Sequence, residues 1–128
     1  MRLLLDTHAL LWWGQGDRRL SQRASVEIGS DSNDVFVSAV SALEVTTKYR
    51  LGKLPDAQKL AINFAIDIEL DGFTPLTVTV EHCQLAGSLM IPHKDPFDRV
   101  LIAQSMLEGM LLVSNEQVFD SFGVSRLW

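Results

Sequence analysis

Short apolar runs alternate along this chain with longer stretches of helical spacing, and that alternation most limits how it can fold. Leu3-Leu4-Leu5 leads into helical spacing over residues 7–13, Gly14-Gln15-Gly16 breaks it, and residues 21–28 read as a second helix. Val35-Phe36-Val37 is a short strand. A helix follows from Ser41 and ends at Gly52, and another runs from Pro55-Asp56 to Asp71-Gly72. Residues 73–80 contain a β-branched strand and residues 81–89 a helix. Asp95-Pro96 starts a helix that Gly109 stops. Met110-Leu111-Leu112-Val113 reads as a buried strand, residues 116–122 as a short helix and residues 124–128 as a last strand. Strands separated by helices require right-handed crossovers and a parallel sheet covered on both faces. The expected fold is therefore α/β, a short parallel sheet flanked by helices on both faces, in a single domain over residues 1–128.

Composition excludes several classes of function. With 128 residues, 47% of them hydrophobic, the chain is large enough for one well-buried core. No apolar run is long enough to span a bilayer, so no membrane partner is expected. Met1-Arg2-Leu3-Leu4-Leu5 looks like the charged end of a signal peptide, but Asp6 and His8 interrupt the apolar region. The lone Cys83 has no intramolecular disulfide partner, which suits a reducing cytoplasm, and it is expected to be a small buried side chain. A net charge of -5 argues against gripping nucleic acid mainly by bulk positive charge, and leaves room for a local site.

The acids have a pattern of their own. In an open parallel sheet the carboxyl ends of the strands and the following helix N-termini share one edge, where ligands bind. Asp6 follows the first strand, Glu44 lies early in the helix after the second, Asp95 and Asp98 begin a later helix, and Glu116 follows the strand at 110–113. Each has a local explanation. Asp6 and Asp95 suit N-caps, Asp98 suits the first turn of a helix, Ser41 and Glu44 fit a capping box, Glu44 pairs with Lys48 one turn on, and Ser114 and Gln117 fit a box around Glu116. Capping does not require like charges to gather, since Ser, Thr or Asn caps as well. Carboxylates that share a site repel one another unless a cation compensates them. Hard oxygen ligands without a His or Cys cluster point to Mg²⁺ or Mn²⁺, and phosphodiester hydrolysis is the chemistry that best fits such an ion. Of the nearby cations, Arg99 beside Asp98 is the best functional candidate.

These segments resemble a known family. "LLLDTHALLWW", "VSAVSALEVTTKYRLGKL", "HKDPFDRVLIAQSMLEGMLLVSNEQVF" and "FGVSRLW" are similar, in this order, to PIN-domain proteins of the VapC toxin type. The resemblance covers essentially the whole chain. It implies a metal-dependent endoribonuclease toxin of the bacterial cytoplasm, paired with a cognate antitoxin that inhibits it and through which it reaches operator DNA. By position it implies Asp6, Glu44 and Asp98 as catalytic acids and metal ligands, with Asp95 as a further ligand, cap or supporting group. The fourth element, usually Thr or Ser, any residue, then Asp, is here Ser114-Asn115-Glu116, which implies Glu116 as the fourth catalytic acid, a departure that lengthens the side chain by one methylene. Arg99 and Ser114 are the candidates for contacts to the RNA substrate, and a homodimer is expected. The alternative is a non-catalytic PIN-like subunit that binds an antitoxin and co-represses DNA. His8, His82 and His93 are too scattered for a metal cluster and read as surface or packing groups. Trp12 and Trp13 face different ways on a helix, one into the core and the other toward a subunit interface, and Trp128 packs the last strand down.

Overall fold

Leu3, Leu4 and Leu5 are fully buried because their strand, β1 (Arg2–Leu5), lies in the middle of a five-stranded sheet. The computed structural model describes residues 1–128. The other strands are β2 (Asp34–Ser38), β3 (Thr74–Leu76), β4 (Leu111–Val113) and β5 (Arg126–Leu127). They pair in parallel in the order β3-β2-β1-β4-β5. Leu3 lies between Val35 and Leu111, and Leu5 between Val37 and Val113. Successive strand residues point to opposite faces. Leu3 and Leu5 accordingly join one core of 14 buried residues with Val35, Val37, Ile28, Ile68 and Phe73. Leu4 joins a core of 8 on the other face, with Val40, Leu101, Ile102, Leu112 and Phe119. This is the parallel sheet covered on both faces that the alternation predicts.

The helices are α1 (Thr7–Gln15), α2 (Gln22–Gly29), α3 (Ala39–Arg50), α4 (Gln58–Leu70), α5 (Val80–Ser88) and α6 (Pro96–Glu108), with 3-10 turns at Pro55–Ala57 and Gln117–Phe122. Their starts are chemically marked. The side chains of Asp6, Ser21, Ser38, Thr79 and Asp95 accept from the first-turn backbone N–H groups of α1, α2, α3, α5 and α6. Gly109 ends α6 at φ 64°, a left-handed conformation that glycine adopts without strain.

Several local expectations are corrected. Helix α3 begins at Ala39, two residues before the expected Ser41, because Ser38 Oγ accepts from Val40 N at 3.1 Å. Ser41 is therefore a buried interior residue and forms no capping box with Glu44. Cys83 is exposed rather than buried. Trp12 is in the core, but Trp13 also packs inward, tilted against Phe73 at 6.0 Å. Trp128 meets Trp12 edge-on at 5.9 Å, holding the last strand as expected. No helix is long and apolar enough to cross a membrane.

The chain lays β2 and β3 to one side of β1 and then crosses to place β4 and β5 on the other. The connections thus diverge at the carboxyl ends of β1 and β4, leaving a crevice of the kind where open α/β sheets bind ligands.

Candidate active site

Asp6 stands at that crevice. Its backbone N–H still donates to Val113 O on β4 at 3.0 Å, and its Oδ1 accepts from Ala9 N at 2.8 Å, so the residue closes the sheet and caps α1 together. It is only 4% exposed. Burial pushes its carboxyl up to about 6, and the nearby Asp98 adds to the rise. The Ser114 hydroxyl, the Ala9 N–H and His8 oppose the shift without cancelling it. The capping reading of Asp6 is therefore correct as geometry, yet Asn or Ser would cap without this electrostatic cost.

Glu44 reaches the same crevice from α3 and is also buried. The Thr7 hydroxyl donates to its Oε1 at 2.6 Å and in turn lies 3.1 Å from the Ser41 hydroxyl, while Lys48 Nζ donates to its Oε2. Asp95 and Asp98 come from the start of α6. Asp95 Oδ1 accepts from Phe97 N at 2.8 Å and from Asp98 N at 3.2 Å. Asp98 Oδ2 lies 2.8 Å from His93 Nε2. Burial, with Asp95 and Glu44 beside it, raises the Asp98 carboxyl above the usual carboxylate range, although His93 pulls the other way. Asp98 thus feels Asp95 and Glu44, and Asp6 feels Asp98, across three separate elements.

The remaining expected residues fall differently. Ser114 is buried, next to Asp6, and its Oγ accepts from Glu116 N at 3.1 Å. Glu116 itself is exposed at the start of the Gln117–Phe122 turn and makes no side-chain hydrogen bond. Arg99, expected to touch substrate, has its guanidinium occupied. It donates to the carbonyls of Ala86, Leu89, Ile91 and His93 at 2.8, 2.6, 3.3 and 2.7 Å. A planar guanidinium fork suits such convergent acceptors, so Arg99 straps the segment that carries His93.

Sequence reasoning passed over Thr7 and gave Ser41, His93 and Lys48 local roles only. Thr7 directly follows Asp6, and His93 stands three residues before Asp95 in "HKDPFD", so the signal was adjacency to the acids. A cleft of about 560 Å³, between α1 and α4 and lined by Leu10, Trp13, Leu60 and Asp67, contains none of the expected site residues.

No three His, Cys, Asp or Glu side chains are assembled in ligating geometry, and Asp6, Glu44 and Asp98 each face a protein donor. The donor set nonetheless fits a hard divalent cation. It offers carboxylate oxygens without thiolate, and buried, mutually repelling acids of raised proton affinity are what a cation relieves.

Comparison with known proteins agrees with this fold. The family model described as PIN domain matches residues 3–124. No curated protein matches the chain. Among solved structures, a chain of VapBC2 from Rickettsia felis bound to a DNA fragment from their promoter is 14% identical with a TM-score of 0.68, over 95% of this chain and 93% of that one. A chain of a toxin-antitoxin complex from Klebsiella pneumoniae is 17% identical with a TM-score of 0.60, over 89% and 86%. A chain of VapBC-1 from nontypeable Haemophilus influenzae is 14% identical with a TM-score of 0.62, over 100% and 96%. At these identities the likeness speaks for the fold alone, whereas the family model spans nearly the whole sequence. The chain belongs to the PIN-domain family.

Proposed function

We propose that this chain, as a single PIN-like domain over residues 1–128, is an endoribonuclease toxin that uses Mg²⁺ or Mn²⁺ and is neutralised by a cognate antitoxin. The observation that carries the reading is the convergence of Asp6, Glu44, Asp95 and Asp98 at the crevice between β1 and β4, with Asp6 held up to about 6 by burial. Membership of the PIN-domain family supports it. So does the fold shared with chains solved within toxin-antitoxin complexes, one of them bound to promoter DNA, which suggests that this chain reaches DNA through its antitoxin.

In this reading Asp6, Glu44 and Asp98 hold the ion, with Asp95 beside them. When bound, such an ion polarises a phosphoryl oxygen and lowers the pKa of water. The chain's own residues prepare the place. Thr7 and Ser41 orient the Glu44 carboxylate, His93 orients that of Asp98, and the sheet fixes Asp6. Ser114 lines the crevice for substrate, and Glu116 reaches it only by turning inward from its exposed position.

The test is incubation of the pure protein with labelled RNA in Mg²⁺, Mn²⁺ or EDTA. Cleavage that needs the ion and stops with EDTA is the expected result. Metal-independent integrity of the RNA in all three would favour the non-catalytic subunit, a reading to which the outward-facing Glu116 lends support.

A further inference from the structure

Lys48 is more than a partner for Glu44 along one helix. An exposed pair of Glu and Lys four residues apart keeps its ammonium in water and contributes little. Here the Glu44 side chain is 4% exposed, and the Lys48 side chain, 27% exposed, leaves α3 toward α6. Its Nζ lies 5.8 Å from the centre of the Phe97 ring, a cation over an aromatic face. The ammonium is thus paired with Glu44 and lies over Phe97, in the first turn of α6 between Asp95 and Asp98 in the sequence. Its one hydrogen bond is to Glu44 Oε2.

We propose that Lys48 is the resident counter-ion of the carboxylate cluster and competes with a divalent cation for Glu44, so that it sets how much metal the site needs. The inference rests on the metal-dependent reading above. Its physical basis is that one monovalent ammonium undercompensates three carboxylates, while a divalent ion in the same surroundings compensates them better. An ammonium anchored by a single hydrogen bond on a flexible four-carbon stem is readily displaced. Phe97 offers its ring to the cation without fixing it, and Thr7 keeps Glu44 in place through the other oxygen while Oε2 is exchanged.

The experiment is calorimetric titration of Mn²⁺, and separately Mg²⁺, into the parent, Lys48→Met and Lys48→Gln, alongside melting in EDTA. Competition predicts that both variants bind the ion at least about tenfold tighter, the equivalent of about 1.4 kcal/mol. In EDTA both should melt below the parent, because a buried carboxylate loses its cation, and added ion should raise their melting temperatures more than the parent's. If the parent binds the ion and cuts RNA but the variants bind it equally or more weakly, Lys48 only positions Glu44 and this inference is overturned alone. If no protein of the set binds either ion, the metal-dependent reading falls and this inference with it. The Gln variant, which keeps a polar tip at the crevice, guards against a Met variant that fails to fold.

Discussion

Asp6 unites a structural and a chemical role, and acid titration separates them. Its carboxyl moves from 3.8 in the ordinary state to about 6 in the folded chain, so between these values the native state binds the proton more tightly than the unfolded state does. A raised acid of this kind destabilises the fold above pH 6, and the cost is relieved as pH falls through 6 toward 4. At about 1.4 kcal/mol per pKa unit, the full effect is roughly 3 kcal/mol. In EDTA, Asp6→Asn should therefore melt above the parent at pH 7 and lose that advantage near pH 4, since Asn still caps α1; calorimetric melting across pH checks this. The same variant, with Glu44→Gln and Asp98→Asn, should cut RNA roughly a hundredfold or more slower, the scale of losing one preorganised electrostatic contact, while circular dichroism stays that of the parent. Normal cleavage by all three would return these acids to capping and pairing. Glu116→Asp should keep or raise activity, because the exposed Glu116 has no side-chain bond to lose and Asp restores the side-chain length usual at this position. A collapse in its cleavage rate would mean that the pocket is adapted to the longer acid.

At the scale of elements, α6 and the segment before it act as one unit through Arg99. Its four carbonyl acceptors lie at the end of α5 and in the turn that follows, and His93 carries both one of those carbonyls and the imidazole that meets Asp98. Arg99→Gln removes a charged fork from acceptors that are then left unpaired. A hydrogen bond to a charged group contributes about 1.5–3 kcal/mol, so a loss of at least that size is expected in denaturant melts, together with slower cleavage as His93 loses its place. Stability within experimental error of the parent would show that the strap is dispensable. Much of this unit was legible in the sequence, because Asp95-Pro96 and Gly109 mark the two ends of α6 with local chemistry. The run Leu3-Leu4-Leu5 likewise announces a strand buried on both faces. What was not legible depends on partners distant in sequence. Ser41 looked like a cap because its neighbours fit a box, but its hydroxyl meets Thr7, 34 residues away. Arg99 looked free for substrate because nothing local to it shows four converging carbonyls. The kink in α4 at Asn63, with φ -118° and ψ 28°, also left no mark in the apolar spacing.

For the molecule as a whole, charge frames the remaining prediction. A protein of net charge -5 whose crevice gathers carboxylates repels polyanions at long range and attracts basic groups. An inhibitor that closes this crevice is best served by an Arg, which meets carboxylates through two parallel hydrogen bonds. Co-expression with a cognate antitoxin should therefore yield a complex that elutes as one species, larger than the homodimer expected of the free chain, and that no longer cuts RNA. Because the contact is charge-assisted, the complex should weaken as salt is raised. Asp98→Asn should weaken it further at fixed salt, since a neutral amide offers the guanidinium one acceptor where the carboxylate offers two. Size-exclusion chromatography with light scattering measures the assembly, and calorimetric titration of the partner into parent and variant measures the affinity. A monomer whose mass is unchanged by co-expression would count against both the dimer and the antitoxin. A partner that binds parent and Asp98→Asn equally, and without regard to salt, would place its inhibitory contact away from the acidic crevice.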